Sequence, residues 1–477
     1  MKITLIYPGI AGLGFNSLGK GDMNHNWINL GLAYIGAYVK RSGHIVDLID
    51  LRGLSGWEEV QDELKTRASE VVGVYFSTVN FDNAIRCCKI AKEQKMTVVS
   101  GGPHASIDPQ GLIETGAVDY VITGEGEISF CELLNDLQAG RHPEKIIAGK
   151  VIENLDELPF PDRELYDLNR VLNPRRNFPF LDNGLIMLTS RGCPYNCRFC
   201  QPLGRRMFGA GARFRSVANV VEEFKFLVNK HKVKYLSFQD DTFTLRKDWV
   251  LELCARIKAE KLQVQWSAQS RVNTFDEELA QAMTSAGCVC LFFGFESGSQ
   301  RMLDFLSKGI NADDALKVAR LCKKYGIVIL ADYMSGIPTE TEEDLRATLE
   351  QIRLVRPELL SVTYFTPVPG CELYEYCKSN NLIKIKTFED FERSPTSEKI
   401  YGVDYALVKR YRARMYRYVP KWFSEGFFAR LAIKRWAYLI RRGMLKEFVT
   451  EFLGCSSPFP FGIRTALRKM LGRTKRQ

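Results

Sequence analysis

The sequence predicts an α/β protein: a doubly wound parallel-sheet domain, then a partial (β/α)6 barrel, then a helical C-terminal segment. Three observations predict it. Short apolar runs alternate with helical patterns from residue 2 to about 140, the alternation restarts at residue 185 for six units, and the strand patterns stop after Lys378. Strict alternation of this kind pairs strands in parallel through crossover helices. At 477 residues the chain also exceeds what one core holds, since single cores rarely grow past about 250 to 300 residues.

In chain order, residues 1–140 read KITLIYP then LGLAYIGAYVKRSG, HIVDLIDL then WEEVQDELKTRA, VVGVYFS then NAIRCCKIAKEQ, TVVSGG, and YVITGEG then EISFCELLNDLQAG. They form the doubly wound unit. Residues 141–183 lose the rhythm and gather prolines and charges, which is linker composition. Residues 184–385 carry the strand patterns LIMLTS, YLSFQD, VQWSAQ, VCLFFGFES, GIVILADYMSGIP and LLSVTYFTPVPG, each followed by a helical pattern, which suggests an open relative of the eight-unit barrel. Residues 386–477 are basic, rich in aromatics and helical in pattern.

Composition narrows the class. Thirteen cysteines are scattered without a disulfide-like framework, and after Lys2 only Ile3 to Tyr7 are apolar before Pro8 and Gly9, too short for a secretory leader. A reducing cytoplasm is expected. No uncharged run reads as a spanning helix, so an integral membrane protein is excluded. The net charge of +10 is local: residues 401–477 hold 18 Lys+Arg against 4 Asp+Glu, leaving the rest of the chain slightly acidic.

The sharpest signal is SRGCPYNCRFCQ, residues 190 to 201, which sets Cys193, Cys197 and Cys200 in a C-x3-C-x2-C run straight after a predicted strand. Soft thiolates select zinc or iron–sulfur clusters, and a structural zinc wants four closed ligands. The next cysteine, Cys254, lies 54 residues on in a predicted helix. Three cysteines holding three irons of a four-iron cluster, with the fourth iron open to a ligand, explain the missing thiol.

This loop, with Phe199 before its last cysteine, resembles the cluster loop of radical S-adenosylmethionine (SAM) enzymes. The resemblance continues through FQDDTF (238 to 243), SAQSRVN (267 to 273), GFESGSQRML (294 to 303), MSGIPTETEED (334 to 344) and FTPVPGCELY (365 to 374). It implies a [4Fe-4S] cluster, SAM chelated to its open iron, and an external electron donor such as flavodoxin or ferredoxin. Glu296 and Ser297 resemble residues that meet the SAM ribose or amino group, and the turn at Gly336 to Pro338 resembles the backbone that packs on adenine. One departure stands out: the family's Gly-Gly-Glu after the second strand is Gln239-Asp240-Asp241 here, which leaves open which carboxylate meets the amino group.

In the first domain, Gly101-Gly102-Pro103-His104 follows one strand and Gly124-Glu125-Gly126-Glu127 follows the last and opens a helix. Glycine-rich loops at the carboxyl ends of parallel strands let backbone approach a ligand. With YPGIAGLGF and INLGLAYIGAYV they resemble the Rossmann-like cobalamin-binding domain fused to one branch of these enzymes. The five histidines lack an aspartate two residues before them, so the Asp-x-His-x-x-Gly motif of the free-standing cobalamin carriers is missing and cobalt is expected without a protein imidazole. His104 is the one histidine placed to touch the cofactor, or else a turn histidine.

The resemblance covers about residues 1 to 385 and implies an enzyme, a cobalamin-dependent C-methyltransferase acting on a small-molecule or lipid-like substrate. Three alternatives stay open: a ring-forming or oxidising enzyme like the anaerobic magnesium-protoporphyrin ester cyclase, a methylthiotransferase, and a noncatalytic cobalamin-binding protein. A methylthiotransferase needs a second three-cysteine cluster, for which the first domain offers only Cys87, Cys88 and Cys131. The tail mixes cations with Trp422, Phe423, Phe427, Phe428, Trp436 and Tyr438, which suits a helical cap on the barrel, peripheral contact with an anionic membrane at its inner face, or, least well, nucleic acid.

Overall fold

The computed structural model describes residues 1–9, 14–18, 28–172, 184–393 and 397–419, with 440, 445 and 449. Its first sheet has six parallel strands: β1 (Lys2–Tyr7), β2 (Ile45–Asp50), β3 (Val71–Tyr75), β4 (Thr97–Gly101), β5 (Tyr120–Thr123) and β6 (Ile146–Ala148). Their spatial order is β2-β1-β3-β4-β5-β6. The chain reverses direction across the sheet at β1, so the carboxyl ends of β1 and β3 flank the crevice where such sheets bind ligands. The last strand lies past residue 140, where the sequence pattern ends: its three residues are too few to register as a period.

After β6 the chain packs against both domains: Arg41 donates to the Glu157 carbonyl at 2.7 Å, and Arg163 to that of Ile186 at 2.9 Å. Ile152, Leu155, Leu158 and Tyr166 are buried, and the Tyr166 hydroxyl donates to the Asn29 carbonyl over 3.1 Å. The Asn29 side chain in turn accepts from the Leu32 amide and caps the helix Leu30–Arg41.

The second sheet begins with β7 (Gly184–Met187), which leads into a two-stranded antiparallel ribbon of β8 (Ser190–Arg191) and β9 (Arg213–Phe214). It continues through β10 (Tyr235–Phe238), β11 (Gln265–Ser270), β12 (Cys288–Glu296), β13 (Val328–Ser335) and β14 (Leu359–Tyr364). The order β14-β13-β12-β11-β10-β7 never reverses, and β7 and β14 form the two edges, each paired on one side only. This is the open six-unit barrel that the sequence predicts.

One apolar cluster runs unbroken from Ile3, Leu5 and Tyr34 beside the first sheet to Met187, Phe224 and Trp266 in the second. A separate cluster covers the other face of the first sheet. The helix Tyr405–Met415 caps the last unit, with the Tyr411 hydroxyl on Glu342 at 2.8 Å and Arg412 donating to the Val362 carbonyl at 2.9 Å. The aromatic tail from Trp422 to Tyr438 lies outside the described residues. No helix among the described residues is long and apolar enough to cross a membrane.

Candidate active site

A cavity of about 320 Å³ is walled by both sheets. From the first sheet come Tyr75 at the end of β3, Gly101 to Pro103 at the end of β4 and Gly124 to Glu127 after β5; from the second come Leu188 and Ser190 to Gly192 beyond β7 and Gln239 with Asp241 after β10. The rest of the wall is mainly apolar, including Leu5, Ile35 and Phe130. Two loop sets predicted from separate domains therefore face one space.

Backbone approach is what the glycines provide. Gly102 sits at φ 105, and a Cβ there would lie 2.7 Å from the Phe76 carbonyl. Gly124 sits at φ 67. Its amide donates to the Ser106 hydroxyl oxygen at 2.8 Å, and that hydroxyl donates to the Gly102 carbonyl, so the two glycine turns are tied together. Among the described residues no histidine lines the cavity. His104 is buried and does not line it; its Nδ1 lies 3.2 Å from the Thr78 hydroxyl and its ring stands edge-on to Phe81 and Phe388. Burial lowers its pKa.

Glu125 and Glu127 line the cavity, yet their carboxylates are engaged by arginine. Arg191 reaches Glu125 at 2.7 Å and Glu127 at 2.5 Å, and Arg213 reaches Glu125 at 2.9 Å. They serve as joints between the domains, which periodicity could not reveal because their partners lie more than 60 residues away.

The cluster loop runs between β8 and β9. The Cys200 amide donates to the Cys197 carbonyl at 2.9 Å, a turn that folds these two residues together. Cys193 is half-buried, Cys197 buried and Cys200 exposed, and all three thiols are free. Among the described residues no three His, Cys, Asp or Glu side chains converge as the ligands of one metal ion would. Three free thiols on one loop are the soft donor set that an iron–sulfur cluster takes. Around them, the Cys193 sulfur lies 3.9 Å from the Thr242 hydroxyl, and Arg271 Nη1 donates to the Cys197 sulfur over 3.7 Å. Arg271, inside the quoted SAQSRVN run, was not among the expected site residues. Its nearness to Cys197 depends on how β11 ends against the loop.

The loop is held on its far side as well. Arg198 pairs with Glu372 at 2.6 Å, its carbonyl accepts from the Leu373 amide, and the Gln201 carbonyl accepts from the Glu372 amide. Phe199 packs with Met302, Leu306, Ile337 and Phe365. Lys308 Nζ stands 5.6 Å from its ring centre and 2.7 Å from Glu296 Oε1. Glu296 ends β12 at φ 64, in the left-handed region that a side chain rarely adopts.

Ser297 is fully buried and shares its hydroxyl with Thr348 and the Ser299 amide. Pro338 is buried in the turn after β13, where Gly336 donates to Glu340 at 2.6 Å. Burial pushes the Glu340 carboxyl up to about 8. Thus Phe199, Glu296 and the turn at Pro338 gather at the carboxyl end of the barrel with the three cysteines.

The two aspartates after β10 separate. Asp240 is fully buried, and its Oδ1 accepts from the amides and hydroxyls of Thr189 and Ser190 at 2.5 to 3.0 Å, fastening the approach to the cluster loop. Asp241 faces the cavity. Beside it Gln239 is aimed by a hydrogen-bond chain through the barrel: its Nε2 donates to the Ser237 hydroxyl at 2.7 Å, Ser237 and Ser267 share a bond of 2.9 Å, and Tyr235 donates to Ser267 at 2.7 Å. Of the two acids, Asp241 is the one free to meet a ligand.

Cys87 and Cys88 are buried in the apolar cluster of the first sheet, and burial pushes the Cys87 thiol up to about 12. Cys131 is buried on a different helix, Glu127–Gln138. The second cluster that a methylthiotransferase needs is not assembled from them.

Comparisons with known proteins agree with this geometry. The model of the radical SAM superfamily matches residues 187–352, and that of the B12 binding domain matches residues 20–134. The chain is 37% identical over 403 residues to an uncharacterized methyltransferase of Pyrococcus horikoshii, covering 80% of this chain and 84% of that one. It is 27% identical over 419 residues to the anaerobic magnesium-protoporphyrin IX monomethyl ester cyclase of Rubrivivax gelatinosus, covering 82% and 72%. Among solved structures, a radical SAM methyltransferase of Kitasatospora setae superposes with a TM-score of 0.66 at 18% identity, covering 88% of this chain and 89% of that one. At that identity the likeness speaks for the fold.

Proposed function

The chain belongs to the radical SAM enzymes that carry a B12-binding domain, and we propose that within this family it methylates an unactivated carbon of a small molecule. The observation that carries the reading is the single cavity between the glycine turns of the first sheet and the cluster loop of the second. When bound, the [4Fe-4S] cluster and SAM supply a 5′-deoxyadenosyl radical that removes a hydrogen atom, and cobalamin supplies a transferable methyl group.

The chain's own residues bind, orient and shield. Cys193, Cys197 and Cys200 are the proposed cluster ligands, with Arg271 donating to one of their sulfurs. Asp241 and Gln239, facing the cavity, are proposed to meet the SAM amino group in place of the altered Gly-Gly-Glu. Glu296, oriented by Lys308, and the turn at Pro338 are proposed to hold the nucleoside. Gly101, Gly102, Gly124 and Gly126 offer backbone to cobalamin. The apolar remainder excludes water from the reacting carbon.

Residues 1–140 are the proposed cobalamin unit, 141–183 the connection, 184–385 the radical-forming barrel and 386–477 the cap. An external donor such as flavodoxin or ferredoxin would reduce the cluster. The bounded cavity supports a small-molecule substrate, whereas a lipid substrate and membrane contact rested on the tail. A ring-forming reaction is the second reading, favoured by the identity to the Rubrivivax cyclase.

Product analysis separates the two. Methyl transfer consumes one SAM for the radical and one to restore the methyl donor, so 5′-deoxyadenosine and S-adenosylhomocysteine should accumulate in near-equal amounts during turnover. Turnover that yields 5′-deoxyadenosine with no S-adenosylhomocysteine would establish the ring-forming or oxidising reading instead.

A further inference from the structure

The base of the cluster loop carries two arginines that face each other. Arg191 on β8 and Arg213 on β9 are direct register partners. Like charges placed opposite on a ribbon repel unless an anion lies between them. That anion is Glu125, and it comes from the other domain: Oε1 meets Arg191 at 2.7 Å and Oε2 meets Arg213 at 2.9 Å, with the side chain only 1% exposed. Oε2 also accepts from the Ile152 amide at 3.0 Å, so the carboxylate is saturated and held. Glu127 adds a second contact to Arg191 at 2.5 Å.

Each end of this joint reaches a proposed cofactor site. Glu125 stands between Gly124 and Gly126, whose backbones line the cavity. Arg191 is followed by Gly192, at φ 85, where a Cβ would sit 2.5 Å from the Gly211 carbonyl, and then by Cys193. The far part of the same loop also leans on the glycine turn: a Cβ on Gly124 would lie 3.4 Å from the Met207 carbonyl and 3.6 Å from that of Arg206. A ligand seated on Gly124 and Gly126 fixes the position of Glu125, and a cluster that orders residues 193 to 200 fixes the ribbon that grips it.

We propose that Glu125, clamped by Arg191 and Arg213, couples cobalamin binding on the first sheet to the cluster loop on the second, so that each cofactor tightens the hold on the other. The proposal rests on the reading that both cofactors bind here. Coupling of this kind is reciprocal, so it can be measured from either side. Glu125 is a positioning residue in this scheme, acting through the arginines and the glycine backbone.

The test titrates hydroxocobalamin, under anaerobic conditions, into the full-length protein before and after reconstitution with iron and sulfide, following bound cobalamin by its visible spectrum. Wild type should bind cobalamin at least about fivefold more tightly with the cluster than without it, the lower end of usual couplings. Glu125→Gln, which keeps the shape and loses the charge, should bring that ratio to about one while still taking up iron. Arg213→Lys, which keeps the charge and loses the fork, should give a smaller ratio than wild type, and it decides the matter if Glu125→Gln does not fold. A merely structural joint would lower the stability of the variants and leave the ratio alone, and an unchanged ratio in them overturns the role of Glu125. Equal affinity with and without the cluster in wild type overturns the coupling while the enzyme assignment stands. Failure to bind cobalamin in either form overturns the coupling together with the cofactor reading beneath it.

Discussion

Arg271 directs a guanidinium nitrogen at the Cys197 sulfur, 3.7 Å away, while its plane covers the Tyr195 ring at 3.7 Å. The stacking and a 2.9 Å bond from Nε to Asn273 fix the cation in this position.

A positive charge beside a cluster ligand favours the reduced, more negative state, and hydrogen bonds to the sulfurs act in the same direction. Arg271→Met should keep the iron and lower the reduction potential by roughly 50 mV, a tenfold shift in a one-electron couple being about 59 mV. An EPR-monitored redox titration reads it, and an unchanged potential would show that the charge does not reach the cluster.

Asp240 gives a pH signature. Burial pushes its carboxyl up to about 6, outweighing the four hydrogen bonds on Oδ1, and Oδ2 has no partner. A folded pKa above the unfolded value means that its stabilisation is full below the ordinary aspartate pKa of 3.8 and is lost as pH rises through about 6. Asp240→Asn escapes that loss. Relative to wild type it should therefore gain about 1 kcal/mol between pH 5 and 7, read from urea midpoints. A difference that is flat across this range would contradict the assignment.

Glu223 lies fully buried between Arg163, at 2.6 Å, and Arg215, beneath the junction of the two domains. Burial alone would raise its pKa, but the two guanidinium groups outweigh it and the pKa is lowered. Its stabilisation is thus present above the usual carboxylate range and fades as pH falls. Glu223→Ala leaves two buried cations facing each other and should cost about 3 to 5 kcal/mol. Thermal melts at neutral pH check this, and the variant should also lose part of the acid sensitivity of wild type.

Gly102→Ala and His104→Ala should part company. The first sets a Cβ against the Phe76 carbonyl at a φ of 105, strain of about 1 to 3 kcal/mol at a turn that lines the cavity, and should weaken cobalamin retention. The second removes a ring packed on Phe81 and Phe388 outside the cavity, and should lower stability while leaving the cobalamin spectrum unchanged. A shift of the cobalt bands in His104→Ala would place the imidazole on the metal.

The sequence by itself determined what depends on local pattern. Alternating strand and helix periods specified two parallel sheets, and the C-x3-C-x2-C spacing marked the loop between β8 and β9, because residues that close in the chain share a turn however the rest folds. Glycine runs after β4 and β5 marked the turns at Gly102 and Gly124 for the same reason. Only the tertiary structure decided which side chains those turns meet. That Glu125 serves Arg191 and Arg213, that Arg271 reaches Cys197, that His104 faces Phe388, and that Asp240 is fastened while Asp241 is free are all contacts between residues more than 25 positions apart, or choices between adjacent residues on opposite faces of one strand end. A sequence period carries the direction of a side chain within its own element, but the partner it finds there is set by how separately folded elements pack, and that distance has no local signature.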